Sequence, residues 1–370
     1  MNSWRPAMKT ERFSLRDPVR GQALTQALRR FAPDNPVRIV HVCGTHEITI
    51  SEHGLRHVLP DNVSVLEGPG CPVCVTSTVD LDRAVRLAEQ EVAVCTFGDM
   101  MRVPGSRMTL DEARALGAPV HTVLSAADAV TLARRNPTRE VVFFAVGFET
   151  TAPGTAAVVL EDPPDNFSVL CSHKLIPPAV ERLVEMPGTD LDGLLAPGHV
   201  STVIGAEAYA ELARRHRIPV VVGGFEPLDV LYALALLLKQ LAEGRTEVEN
   251  AYLRAVSWEG NPRARDLLEQ AFQVCDARWR GIGEIPSSGL AVRGELAHLD
   301  ASLKYDIPAE EGQEVVPGCR CADVLVARAV PSDCPLFGGE CTPLTPVGPC
   351  MVGAEGACAV WHRHGERPVL

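Results

Sequence analysis

The sequence has no surplus of positive charge: 35 lysines and arginines against 47 acidic residues leave a formal charge of −12. That balance offers no basic footprint to a phosphate backbone or an anionic lipid surface, so neither nucleic acid nor membrane is expected as a partner. It also has no apolar run long enough to cross a bilayer. The longest, VLYALALLL at 230–238, is closed by Asp229 and Lys239 and reads as a buried helix. The opening MNSWRPAMKTERFSLRDP lacks the apolar stretch of a secretory leader, so the expected location is the cytoplasm. Hydrophobic residues at 46% and charged residues at 22% describe an ordinary globular chain. A length of 370 residues allows two or three domains without covalent staples.

Cysteine, by contrast, is plentiful. Twelve thiols in a chain without an export signal point to metal binding or transient redox chemistry more than to structural disulfides. They are unevenly placed, with six between Cys319 and Cys358 and a Cys-x-x-Cys pair at Cys71 and Cys74. Cys95, Cys171 and Cys275 lie in strand or helix contexts and read as core residues.

β-branched runs that end in glycine turns alternate with helical stretches. VRIVHV (37–42) runs into CGTHE, VSVLEG (63–68) into PGCPVC, EVAVCTFG (91–98) into DMMRVPG, and EVVFFAVG (140–147) into FETTAPG. DLDGLLA (190–196) runs into PGHVST, and IPVVVGG (218–224) into FEPLD. Such runs predict parallel strands buried on both faces. Pro69-Gly70 precedes Phe97 by 28 residues, as Pro197-Gly198 precedes Phe225, and the turns CGTHE and GFETT look alike. The reading is α/β: two similar parallel-sheet domains over 37–135 and 136–240, related as an internal repeat. After 240 the texture changes, through helical segments at 247–260 and 261–280, to a Gly/Pro/Cys-rich tail. Residues 241–370, with 1–36 expected to pack on them, are read as a third, Cys-rich unit folded around something its thiols hold.

In open α/β sheets ligands gather where strand carboxyl ends meet loops. Cys43, Cys71, Cys74 and the Phe97–Asp99 turn are therefore expected on one rim, and Gly147–Thr151 with Pro197–Thr202 on a facing rim. The cleft between them would be lined by His46, Glu47, Glu149 and His199. Ser77-Thr78-Val79-Asp80 has the form of a helix cap, which places Cys74 near a helix N-terminus and favours thiolate. The pair then reads as a redox dithiol, as half of a Cys₃His zinc site completed by Cys43 and His46, or as inert packing. Cys43 beside His46 suits a transition metal or a nucleophile, with Glu47 fixing the histidine tautomer.

In the tail, Cys334, Cys341, Cys350 and Cys358 are spaced C-x₆-C-x₈-C-x₇-C and follow Cys319-Arg320-Cys321. No close-set C-x₂-C pair of a zinc ribbon occurs there, and four thiolates on glycine- and proline-rich loops suit a [4Fe–4S] cubane. The last four cysteines are the expected ligands, with Cys319 and Cys321 as competitors and structural zinc as the other reading.

Together CGTHE (43–47), GPGCPVC (68–74), GFETTAP (147–153), PGHVS (197–201) and GPCMVGAEGAC (348–358) resemble the HypD family of [NiFe]-hydrogenase maturation proteins over nearly the whole chain. The only departure noted is Gly353, where the family pattern has serine. The resemblance implies two α/β domains plus a [4Fe–4S] domain. It also implies work beside a small HypC-type chaperone, on which iron receives cyanide and carbon monoxide. A HypE-type partner supplies the cyanide, and the Fe(CN)₂CO unit passes to the hydrogenase large subunit. Cys43 is then the iron ligand, and Cys71 with Cys74 a dithiol relay. His46 and Glu47 would handle protons or position a ligand, and Glu149 and Thr150 would hydrogen-bond cyanide nitrogens. This makes the chain an assembly scaffold rather than a turnover enzyme. The competing readings are a stand-alone iron–sulfur thiol/disulfide oxidoreductase and a non-redox binding module with a zinc-held tail.

Overall fold

The computed structural model describes residues 17–305, 307, 314 and 316–365. Nine of its strands form two parallel sheets: β1 Val37–His41, β2 Val63–Glu67, β3 Ala93–Thr96, β4 Val120–Thr122, β5 Val141–Gly147, β6 Phe167–His173, β7 Gly193–Pro197, β8 Val220–Gly223 and β9 Val248–Asn250. The first sheet runs β2-β1-β7-β8-β9 and the second β4-β3-β5-β6. Their apolar runs are buried because helices cover the sheet faces; every residue of β5 is buried. A third piece, the antiparallel hairpin of β10 Phe272–Trp279 and β11 Gly283–Val292, abuts the edge of β6 through a bridge from Lys174 to Gly289. Among the described residues no helix is long and apolar enough to cross a membrane.

Two α/β units of one topology are present, since both sheets share the order second-first-third-fourth in their own strand sequence. Their boundaries are not contiguous in sequence. β1 and β2 pair with β7 and β8, while β3 to β6 make the other sheet, so the division 37–135 and 136–240 is corrected. The chain leaves the first sheet after β2, completes the second, and returns to lay β7 beside β1. The matched 28-residue intervals are accordingly coincidental: Pro69 to Phe97 crosses between sheets, and Pro197 to Phe225 stays within one.

Helix α1 (Pro18–Phe31) packs its Ala27 and Leu28 against the apolar helix Pro227–Glu243 of the first sheet. The expectation that residues 1–36 cover the cysteine-rich unit is thereby corrected for 17–36; residues 1–16 lie outside the described residues. The segment read as helical at 247–260 instead supplies β9 and a turn, and 261–280 divides into a helix, Pro262–Ala271, and strand β10. Among the described residues the cysteine-rich tail has only a small cluster of its own, Val324, Ala329 and Ala357. Cys321, Leu325, Cys341, Cys350 and Cys358 belong to one packed cluster with Val40, Cys71, Cys74 and Leu194.

Candidate functional site

In the first sheet the order of connection reverses between β1 and β7, which opens a crevice at their carboxyl ends. Cys43 stands there as the residue that caps helix α2 (Gly44–Glu52). Because β2 is its parallel neighbour, the Gly68–Cys74 loop arrives on the same rim. The two loops touch backbone to backbone: a Cβ on Gly70 would lie 2.1 Å from the Cys43 nitrogen. Only glycine permits that approach. Cys71 caps the short helix α3 (Pro72–Val75) and is joined to Cys74 as a disulfide, with Cα atoms 5.3 Å apart. In that state the pair offers no two thiolates to a Cys₃His zinc site. Ser77 caps α4 (Thr78–Glu89) as its sequence foretold, accepting from the Asp80 N–H.

PGHVS belongs to this rim too, not to the facing one, because β7 sits beside β1. The Phe97–Asp99 turn ends β3 and so belongs to the second sheet with Gly147–Thr151. The two rims nonetheless meet, since Phe148 packs in one cluster with Val42, Cys71 and Cys74. Glu149 is buried; one carboxyl oxygen accepts the Ile176 N–H at 2.9 Å, the other has no partner among the described residues, and burial raises the group to about 7. It lines a groove with Leu175, Pro177 and Phe272, and the buried Tyr209 is within electrostatic reach of both Glu149 and Cys43. Thr150 is exposed.

The Cys43 thiol is buried, which pushes it up to about 12 against the pull of the His46 and Thr45 backbone N–H groups at the start of α2. It therefore rests as a thiol and gives up its proton when a cation binds. His46 is fully buried, and its Nε2 lies 3.0 Å from the Gly224 carbonyl, where it serves as donor. Burial lowers its pKa to about 3, so the ring is neutral and Nδ1, which has no partner among the described residues, keeps a free lone pair. Phe225 packs 4.9 Å from the His46 ring and stacks at 3.8 Å on His199.

Glu47 does not orient His46. Its carboxylate accepts from His41 Nε2 at 2.9 Å, from both terminal nitrogens of Arg56 at 2.7 and 2.8 Å, from Ser51 at 2.6 Å and from Trp361 Nε1 at 2.9 Å. Burial alone would raise its pKa; the Arg56 charge and the His41 and Arg56 hydrogen bonds outweigh burial and hold it below the usual carboxylate range. It is a buried anchor that ties α2 to the C-terminal helix Ala357–His364. The expectation that it fixes the His46 tautomer is corrected: a residue next to His46 in a helix points away from it, and Glu47 meets His41 instead.

Besides the partners of Glu47 and the buried Tyr209, an acid beside Cys43 escaped the sequence reading. Glu355 sits directly over Gly44, where a Cβ would come within 2.4 Å of its carbonyl oxygen. Its carboxylate accepts from Thr45 at 2.9 Å, and its charge raises the Cys43 pKa. The signal lay inside GPCMVGAEGAC, where the cysteines drew attention away from the acid.

The tail thiols converge behind the disulfide. Cys74 Sγ is 3.9 Å from the Pro349 carbonyl, one residue before Cys350. Cys350 is in hydrogen-bond contact with Cys321 and Cys358, and Cys319 with Cys321; Cys341 is within electrostatic reach of Cys319 and Cys321. Gly348 makes room for this, since its Cβ would lie 2.5 Å from the Cys321 sulfur and 2.6 Å from that of Cys319. Cys334 stands apart, its sulfur 3.9 Å from the Gly318 carbonyl. Soft sulfur donors on loops in an apolar setting fit an iron–sulfur core. Of the four expected ligands the structure thus joins Cys350 to Cys358 and sets Cys341 near Cys319 and Cys321, while Cys334 shows no thiol contact among the described residues.

A family model described as "Hydrogenase formation hypA family", under the name HypD, matches residues 20–365. The chain is 45% identical to the Hydrogenase maturation factor HypD of Azotobacter vinelandii, the match covering 90% of this chain and 91% of that one. To the protein of the same name from Cupriavidus necator it is 43% identical, over 95% of this chain and 96% of that one. The factor from Escherichia coli is 43% identical, with 91% of each chain covered.

Proposed function

The chain belongs to the HypD family of hydrogenase maturation factors, and on that premise we infer that it is the scaffold on which, with a HypC-type chaperone, iron receives CN and CO to become Fe(CN)₂CO. One observation carries the reading: the Cys43 loop is in backbone contact with the loop of the Cys71–Cys74 disulfide, and that disulfide lies against the thiol-rich tail.

The iron is cargo, and its protein ligands are the Cys43 thiolate and a cysteine from the chaperone. Soft thiolates match low-spin iron with π-accepting ligands. Two backbone N–H groups at the start of α2 stabilise the thiolate once iron has displaced its proton. The neutral His46, held by Gly224, presents Nδ1 as a hydrogen-bond acceptor beside the site. Glu355 and Thr45 close the wall beside Cys43, and Glu149 offers a buried carboxyl from the second sheet to hydrogen-bond a cyanide nitrogen, with the exposed Thr150 beside it.

Cyanide reaches the iron from a thiocyanate on a HypE-type partner, and cleaving its S–C bond takes two electrons. The reduced Cys71–Cys74 pair supplies them as its S–S bond forms, releasing two protons; the partner is left with a thiol and the iron with cyanide. A [4Fe–4S] cluster held by Cys334, Cys341, Cys350 and Cys358 would relay two electrons per cyanide, one at a time, from an external one-electron donor to the disulfide, which takes up two protons as it returns to the dithiol. The finished unit then passes to the hydrogenase large subunit.

The test is the anaerobic infrared spectrum of the chain co-expressed with its chaperone. Cyanide and carbonyl stretches are expected in the wild type and not in Cys43→Ala; their survival in the variant would remove Cys43 as the ligand. Iron content of six single Cys→Ser variants tests the tail, with loss expected at 334, 341, 350 and 358 and retention at 319 and 321.

A further inference from the structure

Arg280, at the turn between β10 and β11, is only 2% exposed. Its guanidinium donates to two backbone carbonyls, Pro104 at 2.8 Å and Glu314 at 3.0 Å, and to no carboxylate among the described residues. The nearest acid, Glu314, is engaged elsewhere, with Arg278 at 3.3 Å and the Thr78 N–H at 3.3 Å. A guanidinium taken out of water costs several kcal/mol unless an anion stands opposite. Arg280 lines one small cavity with Cys319, Cys321, Gly348 and Pro349, and charge on Cys321, Cys350 or Cys319 acts on it directly. Its own N–H is bonded to the Val75 carbonyl at 2.9 Å, one residue past Cys74, and the adjacent Trp279 bridges Thr76. One residue therefore holds the disulfide's helix with its backbone and acts with its charge on Cys350, one of the four proposed ligands, across the cavity it shares with Cys319 and Cys321.

We propose that Arg280 is the counter-ion of the tail's metal–thiolate core and sets its reduction potential. This rests on the cluster reading above. A cubane on four thiolates is a net anion, and it gains a further negative charge on reduction. A fixed cation in a low-dielectric site favours the reduced form and raises the potential. Arg280 is thus a positioning residue that sets a fixed positive charge beside the tail core while its backbone holds the disulfide's helix.

The experiment is a dye-mediated redox titration of the reconstituted full-length chain, followed by absorption and electron paramagnetic resonance, after iron and sulfide analysis of each protein. Arg280→Gln is expected to lower the reduced-to-oxidised ratio about tenfold at the wild-type midpoint, a shift of about 59 mV for one electron. Arg280→Lys keeps the charge and is expected to stay within about twofold of wild type. Glu314→Gln removes the nearest opposing charge and is expected to move the potential upward. An unmoved potential in Arg280→Gln overturns the proposal, as does an equal shift in Arg280→Lys, which would assign the effect to lost hydrogen bonds. If Arg280→Gln binds no cluster, Glu314→Gln decides: an upward shift supports the proposal and no shift overturns it. A wild-type chain without iron and sulfide sinks the cluster reading itself, a result distinct from a bound cluster whose potential ignores residue 280.

Discussion

Replacing Gly70 by alanine adds one methyl group where the two loops of the site meet. Its Cβ would stand 2.1 Å from the Cys43 nitrogen, 2.2 Å from the Val42 carbonyl carbon and 2.6 Å from the Cys43 Cα. All three are main-chain atoms, so no rotamer can relieve the contact. Ordinary van der Waals separation begins near 3.4 Å, and the loops must part by more than an ångström. Gly70 does not adopt a left-handed backbone, so close approach is the whole reason for glycine here. Overpacking of this kind costs about 1–3 kcal/mol, which the chain survives. The chemical loss is larger, since a misplacement of about 1 Å costs on the order of 100-fold where groups must meet. Cyanide and carbonyl bands per chain, measured with the chaperone bound, are expected to fall by about that factor while tail iron stays at the wild-type level. Gly294→Ala, where a Cβ meets nothing within 4 Å, serves as the control. Wild-type band intensity in Gly70→Ala would refute the contact between the Cys43 and disulfide loops as the centre of the site.

Glu47→Gln keeps the shape but turns an acceptor toward its donors into an amide, and should cost about 3–5 kcal/mol, the range for breaking a buried charge pair. Guanidinium unfolding followed by tryptophan emission checks it; a loss under about 1 kcal/mol would contradict the anchor role. Because the Glu47 pKa is lowered on folding, its contribution is full above the unfolded value near 4.5 and is lost as pH falls further. His173 behaves in the opposite charge sense: burial lowers it from 6.5 to about 4, so the unfolded chain takes up the proton first. Stability therefore declines as pH drops from 6.5 toward 4, and His173→Gln, which keeps a partner for Thr155, should flatten that decline in a pH series of melting temperatures. Cys71→Ser or Cys74→Ser is expected to abolish hydrogenase maturation while tail iron is retained; iron loss would place these sulfurs among the cluster's own ligands.

The strands and their glycine turns were legible because parallel strands buried on both faces read as continuous β-branched runs. The proximity of Cys43, Cys71 and Cys74 followed from the rule that parallel strands present their loops on one rim. Strand order was not legible. β7 returns to β1 only because crossovers can leave and re-enter a sheet, and periodicity within a strand carries no record of its neighbour. That is why PGHVS was assigned to the wrong rim. The segment DLLEQAFQVCDARW looked helical throughout because its leucines, alanines and Glu269 favour helix, yet pairing with β11 claims residues 272–279. His41 as the partner of Glu47 was hidden for a related reason: it faces α2 from the end of β1, six residues away in sequence.

The bonds from Trp361 to Glu47 and from Glu355 to Thr45 join residues more than 300 positions apart. A nascent chain emerges amino end first, so Cys43 leaves the ribosome long before the side chains that wall it in. Its pocket stays unfinished until the last helix docks. Iron offered to a partly made chain meets an open, solvated thiol, and only the completed polypeptide presents the dry, shaped one.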